Sequence, residues 1–424
     1  VNAAALSGGP NSNGLHFVTV TVSKPGSEDN QLTFSWNITD LVWQTKGEVE
    51  NYSIRHECSF VQVGDKFALI GGRESADVDV FDYNLGVWIP AASTAPSVLN
   101  HFQGVYYQGY IWAIGAFVGG NSVFPNDPIA DHIWLFDTSD NQWIQGPEIP
   151  EARKRGASGL AMYNDKFYII GGNTLGHSGG FVPWFDEYDP QTGIWTTLTD
   201  APNARDHFQA TLIGDKIYAI GGAQTDQPSS DYVADVDVYD FTTATWATLY
   251  NKDLPTPRDG ASIVLFNGDI IVMGGGDKDE TINGDFIKGT REITEAFDID
   301  TQTWYKMPDM NFGHRSTQAI VSGNGIHILA GQSSNGNIHG NMEYYGEDNP
   351  TGSPIITSQL SVPSLVSVAS EGNSNLNIEV TGGETGIFIT SMEITGTDAS
   401  DFSISSGEIT NGLLPSGSLH TLNI

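Results

Sequence analysis

The stretch RDHFQATLIGDKIYAIGG, residues 205–222, decides the fold. Its charged head, Arg205-Asp206-His207, precedes two short runs, QATLI and KIYAI, which are hinged on a Gly-Asp turn and closed by Gly221-Gly222. Short runs rich in Ile, Tyr and Thr and bounded by Gly and Asp read as antiparallel strands joined by a tight turn. A strand does not need Arg, Asp and His in succession at its start. The head therefore poses a question of its own: does it build the fold, or does it serve a site?

Moving outward, the Gly pair recurs in FALIGG (67–72), FYIIGG (167–172) and IIVMGG (270–275), with degenerate copies IWAIGA (111–116) and IHILAG (326–331), six in all. Sixteen residues before the first Gly of each intact pair stand Arg55, Arg155, Arg205 and Arg258. Arg315 keeps the same offset from Gly331, and Leu99 takes the place in the second copy. After the glycines come FDYNLGVW, FDTSDNQW, YDPQTGIW, YDFTTATW and FDIDTQTW, with one fixed spacing from Asp to Trp, as in Asp82/Trp88 and Asp240/Trp246. Asp suits a turn, where its carboxylate accepts backbone N–H bonds. Trp supplies a large flat surface for packing one sheet on the next. Each unit reads as four short antiparallel strands.

Units of about 50 residues carrying Gly-Gly and an aromatic-Asp pair before Trp resemble kelch repeats. The resemblance covers residues 41–348, about three quarters of the chain. It implies an all-β fold, a kelch β-propeller. The last unit has its head (His314, Arg315), IHILAG and NMEYY (341–345), but no Trp strand follows. A spare one, DLVWQTK, lies upstream of the first head, with Trp43 twelve residues before Arg55. That strand is expected to complete the last blade and close the ring, giving six blades and no open sheet edge.

Three regions follow: 1–40 as an N-terminal arm or the end of a preceding β domain, 41–349 as the propeller, and 350–424 as a partial Ig-like β-sandwich. The last is rich in Ser, Thr, Val and Ile, alternates, and lacks the Asp-to-Trp signature. Its GTDASDFSIS resembles bacterial Ig-like domains of the choice-of-anchor kind, which implies a secreted surface protein with further domains in the same chain. The chain opens at Val1 without Met or a charged-then-apolar leader, and is expected to be a piece of a longer protein. By analogy this arrangement is similar to multidomain surface proteins of gliding or marine Bacteroidetes, exported by a dedicated (type 9) route. Two Asn-x-Ser/Thr triplets, at Asn37 and Asn51, carry little weight.

The chain holds 51 acidic against 18 basic residues, a net charge of −33. A field of that sign repels polyanions and argues against nucleic acid and anionic membranes as partners. One cysteine, Cys58, leaves no internal disulfide framework. No run approaches the roughly 18 apolar residues of a membrane span.

In a propeller the inner strands line a central channel, and loops entering them share one face. The six heads bring His56, Glu57, His101, Arg155, Arg205, Asp206, His207, Arg258, His314 and Arg315 toward one axis. The repeated arginines suit a structural role, since a guanidinium fork bridges well to a neighbouring blade's carboxylate or carbonyls. The histidines do not repeat in every blade; His101 and His207 sit alike within HFQ and are candidates for a ligand pocket. Ligand-binding candidates are thus His56, His101, Arg155, Arg205, His207, Arg258, His314, Arg315 and Trp184; Glu57, His101, Asp206 and His207 are the candidate acids and bases. His56, Glu57, His101, His207 and His314 offer ligand types that suit iron or copper, but no metal site and no cofactor are predicted. Phe124, His177, Phe181 and Trp184 on long loops offer a stacking platform for sugar rings.

The best-known kelch enzymes are copper-radical oxidases of the galactose oxidase type, whose cofactor needs a Tyr crosslinked to Cys and a second Tyr. Cys58 stands at a strand start, but no head contains Tyr, so that chemistry is disfavoured. Sugar-acid epimerases and mutarotases with kelch repeats imply acid/base work on acidic sugars. The reading favoured is an extracellular or cell-surface binding or adhesion module for glycans, matrix ligands or anionic small molecules. A carbohydrate-active enzyme (epimerase, lyase or oxidase) is the alternative.

Overall fold

A computed structural model describes residues 41–346, with interruptions at 49–51, 65, 83–86, 227–228, 278–279, 283–284, 288, 323–324 and 334–337. Seven flanking strands are described by their backbone alone. The described residues contain no α-helix, only two 3-10 turns at Asn121–Val123 and Glu151–Arg153.

Six four-stranded antiparallel sheets follow one another as blades. The stretch that opened the sequence is the inner half of the fourth. There Gln209–Ile213 pairs with Lys216–Ile220, which pairs with Val236–Asp240, which pairs with Thr245–Thr248. The second strand of each blade is buried almost throughout, as in Ile217–Ile220, because a sheet lies on either face. The outermost strand is largely exposed. Six hydrophobic clusters fill the six spaces between neighbouring blades. In one of them Phe60, Phe67 and Leu69 of the first blade meet Ile320, Leu329 and Met342 of the sixth, so the ring is closed.

The sixth blade is completed from the N-terminal side: Gln44–Glu48 pairs with Asn341–Gly346 outside Gly325–Leu329 and Ala319–Ser322. Trp43 is 4% exposed and packs 5.4 Å from the Tyr345 ring. Its indole N–H donates to Pro308 O at 3.1 Å, where Trp246 reaches Thr199 O at 3.1 Å and Trp304 reaches Lys252 O at 2.8 Å. In each case the outer Trp bonds the segment that leaves the preceding blade. The latch strand thus repeats the contact that the outer strands of the fourth and fifth blades make.

The Gly pair has a job that its turn-like composition does not reveal. The N–H of the second Gly donates to the carbonyl of the next blade's head: Gly172 to Arg205 at 2.8 Å, Gly222 to Arg258 at 2.9 Å, and Gly331 to Arg55 at 2.9 Å across the closure. The first Gly makes that approach possible. A Cβ on Gly171, at φ +60°, would stand 2.5 Å from Arg205 O.

Gly14–Val22 and Asn30–Ile38 form an antiparallel hairpin. Of the region expected to be an Ig-like sandwich, Ile355–Ser361, Asn375–Thr381 and Leu419–Asn423 form one three-stranded sheet, and Ile387–Ile389 pairs with Gly412–Leu414. The rest of 350–424, GTDASDFSIS included, lies outside the described residues, as does Asn51.

Candidate functional site

The head arginines are consumed inside the blades. Arg55, Arg155, Arg205 and Arg258 are each at most 1% exposed. Arg155 Nε donates to Gly171 O at 2.7 Å, Arg205 Nη1 to Gly221 O at 2.9 Å and Arg258 Nε to Gly274 O at 2.7 Å. Each also pairs with a carboxylate on the third strand: Arg155 with Asp186 (2.8 Å), Arg205 with Asp237 (2.6 Å), Arg258 with Glu295 (2.5 Å), and Arg55 with Asp79. The partner is on the same blade, not on the neighbouring one as expected. A buried guanidinium with carbonyls and a carboxylate filling its fork is a tie between strands.

The sixth blade corrects the register read from the sequence. His314, not Arg315, occupies the arginine position: its Nδ1 lies 2.7 Å from Ala330 O and its Nε2 3.0 Å from Glu343. Ala330, at φ +64°, stands where other blades carry the first Gly, which shifts the count by one. Arg315 is thereby released and pairs with Asp259 at 2.8 Å.

Two residues beyond each head position the backbone turns left-handed, at Glu57, His101, Ala157, His207, Gly260 and Ser316, with φ between 50° and 62°. Five of the six are not Gly, so the conformation has a cost. It recurs in every blade, which makes it architectural. His101 N donates to Glu57 O (3.0 Å), Ala157 to His101 (2.9 Å), His207 to Ala157 (3.0 Å), Gly260 to His207 (2.7 Å) and Ser316 to Gly260 (2.8 Å). Cys58 N to Ser316 O, at 3.3 Å, closes this collar around the axis.

All six collar residues line one cavity of about 40 Å³, room for roughly two to four waters. Three of them carry ionisable groups. Glu57 Oε2 lies 3.0 Å from His101 Nε2, and the His101 and His207 rings are 4.7 Å apart, edge to face. His177 joins them from the loop of the third blade, its ring 4.9 Å from His207 and 5.0 Å from His101. Gly176 seats that loop: a Cβ there would meet Asp127 N at 2.6 Å and Pro125 O at 2.7 Å. His177 N donates to Pro125 O at 2.8 Å.

Burial pushes the His101 imidazole down to about 4, and it lowers His177 as well, aided by the two neighbouring rings. At His207 burial also opposes the charge, but Asp206, 3.0 Å from Nδ1, outweighs it and lifts the pKa to about 9. Burial likewise works against a charged Glu57, yet the histidines hold it well below the usual carboxylate range.

Asp206 itself is fully buried, accepting from Asn173 (2.7 Å) and Thr225 (2.9 Å), and it orients His207. His56 pairs with Glu74 at 2.7 Å. Trp184 lies under two guanidiniums, Arg153 at 4.4 Å and Arg155 at 5.7 Å. Phe124, 51% exposed and 5.0 Å from His177, remains at the mouth. Cys58 is buried beside Phe60, its thiol pushed up to about 12 by burial.

Two features escaped the sequence. Arg73 joins the loops, with Nη2 2.9 Å from His177 Nε2 and Nη1 2.7 Å from Asp127. The glutamines of HFQ and STQ plug the channel: Gln103 Nε2 donates to Ala210 O (2.9 Å), Gln209 to Thr317 O (2.8 Å) and Gln318 to Gly104 O (3.1 Å). These bonds run from alternate blades in a pseudo-threefold cycle. The signal was Gln at one repeat position in blades two, four and six, where a barrier across the axis needs long amides.

The comparisons agree with this geometry. The KLHDC2/KLHL20/DRC7 Kelch-repeats domain matches residues 148–331. Kelch-like protein terF of Aspergillus terreus is 28% identical over 282 residues, 63% of this chain and 59% of that protein. Kelch-like protein 35 of Mus musculus is 25% identical over 236 residues, 56% of this chain and 37% of that protein. The chain thus spans less than two thirds of either relative. The solved structure of YjhT aligns with a TM-score of 0.58 at 15% identity, over 70% of this chain and 95% of that one. The fold is a six-bladed β-propeller, and residues 148–331 of it match a kelch-repeat model.

Proposed function

We propose that the propeller is the binding module of a secreted or cell-surface protein, and that it takes a glycan or an anionic small ligand at the mouth of the collar. One observation carries this reading: Glu57, His101, His177 and His207 converge at one mouth, while the head arginines are spent within the blades. A cavity of about 40 Å³ is smaller than a sugar ring, so the ligand enters by a substituent and its ring rests outside, where Phe124 offers an apolar face. Kelch propellers typically serve as protein-binding modules, which favours binding over chemistry. A glycan array, followed by titration calorimetry of the hits, tests the proposal. Binding that His101→Ala/His207→Ala removes supports it, and an array without hits, or hits indifferent to that variant, overturns it.

The alternative, a carbohydrate-active enzyme, draws on one specific feature. Glu57 is held ionised and His207 protonated at neutral pH, so a base and an acid stand in one site with their pKa values driven apart. Turnover of an acidic sugar that Glu57→Gln abolishes, with binding retained, would select this reading.

A further inference from the structure

His101 and His207 are oriented in the same way. His207 turns Nδ1 toward Asp206 at 3.0 Å. His101 turns Nδ1 toward Asn100 Oδ1, and the amide is fixed because its Nδ2 donates to Gly119 O at 2.6 Å. With Nδ1 engaged on both rings, each Nε2 is the nitrogen left to face the cavity, and a metal there takes the place of the Nε2 proton. The His207 Nε2 is buried without a hydrogen-bond partner. His101 Nε2 faces the Glu57 carboxylate at 3.0 Å, so an imidazole and a carboxylate share one proton site. A metal cation between them would take the place of that proton. An oxygen or amide holding one imidazole nitrogen while the other is free is the arrangement that metal-binding histidines have.

The geometry points to a divalent transition-metal site, formed by His101 Nε2, His207 Nε2 and the Glu57 carboxylate, with His177 closing as a fourth ligand. Ligand atoms of the three histidines lie within 4.8 Å of one another. A tetrahedral zinc shell with bonds of about 2.0–2.1 Å brings ligands to roughly 3.3 Å apart, so the set must contract by about an ångström or more. The His177 ring closes that gap by turning toward the other two. In doing so it gives up its bond to Arg73, whose other nitrogen keeps Asp127. The surrounding charges favour a dication: Glu57, Asp206, Asp259 and Asp127 stand against Arg73 and Arg315. Imidazole with carboxylate suits zinc, iron, nickel or copper rather than calcium or magnesium. The inference stands whether or not the glycan reading does, because it concerns the ion alone.

Zinc titration of the EDTA-treated full chain, followed by calorimetry and by elemental analysis after gel filtration, tests this. The expected result is one zinc per chain. His207→Ala and His101→Ala should each weaken it at least 100-fold, His177→Ala less. Asp206→Asn, which removes no ligand but weakens the bond that orients His207, should weaken it by roughly 10–100-fold. Circular dichroism and the midpoint of the apo form check that each variant is folded, and His207→Gln replaces His207→Ala if it is not. No saturable zinc binding, or binding that survives both single histidine changes, overturns the proposal.

Discussion

At the scale of single residues, position within the repeat decides what a charged side chain does. Arg205 and His207 are two residues apart, yet one is buried along its blade and the other sits on the collar. His327 provides a test away from the site. It is buried between the Phe67 and Tyr344 rings, and burial depresses its pKa to about 3. A histidine with a depressed folded pKa binds its proton first in the unfolded chain. Stability attributable to it is therefore complete above about pH 6.5 and declines as the pH falls toward 3. His327→Phe, matching the aromatic Trp112, Tyr168 and Tyr218 of other blades, should flatten the acid limb. Between pH 4 and 6 the slope of unfolding free energy against pH should fall by up to about 1.4 kcal/mol per unit, measured by urea denaturation. Glu57, His101 and His207 were legible as residues of interest because they broke the repeat. Their shared left-handed turn was not, since Ala157 and Ser316 adopt it without any sequence mark.

Among the elements, the latch strand was the most legible, because a Trp-bearing strand was missing at one end and spare at the other. Trp43 is buried and makes the interblade bond that Trp246 and Trp304 also make. Trp43→Ala should cost about 3–5 kcal/mol, the usual loss for a buried large aromatic, read as a lower urea midpoint. A cost below about 1 kcal/mol would mean that the strand does not close the ring. The loops were legible only as long and aromatic. His177 reaches His101 and His207 because its loop is seated on 125–127 of another blade, a tertiary contact that no local pattern encodes. The register slip in blade six was hidden for a similar reason. Arg315 matched the spacing from Gly331, and the structure shows that Ala330 carries the first-Gly conformation.

Across the whole molecule, the polar side chains divide between two tasks. Arginines and third-strand carboxylates tie four blades and His314 with Glu343 ties the sixth, the Gly pairs dock one blade on the next, and three glutamines bar the channel. What remains at the loop-bearing mouth is a small cluster of histidine and glutamate. This division is the central claim, and one paired measurement tests it: thermal midpoint and zinc stoichiometry of Arg205→Met beside His101→Ala/His207→Ala, both after EDTA treatment. Arg205→Met strands the buried Asp237, a loss of about 3–5 kcal/mol, and at roughly 2–4 °C per kcal/mol should lower the midpoint by on the order of 10 °C while leaving one zinc per folded chain. The double histidine variant should lose zinc and keep its apo midpoint within about 3 °C, less than the equivalent of 2 kcal/mol. The reverse result, a stable Arg205→Met and a histidine variant that melts early yet still binds zinc, would contradict the account.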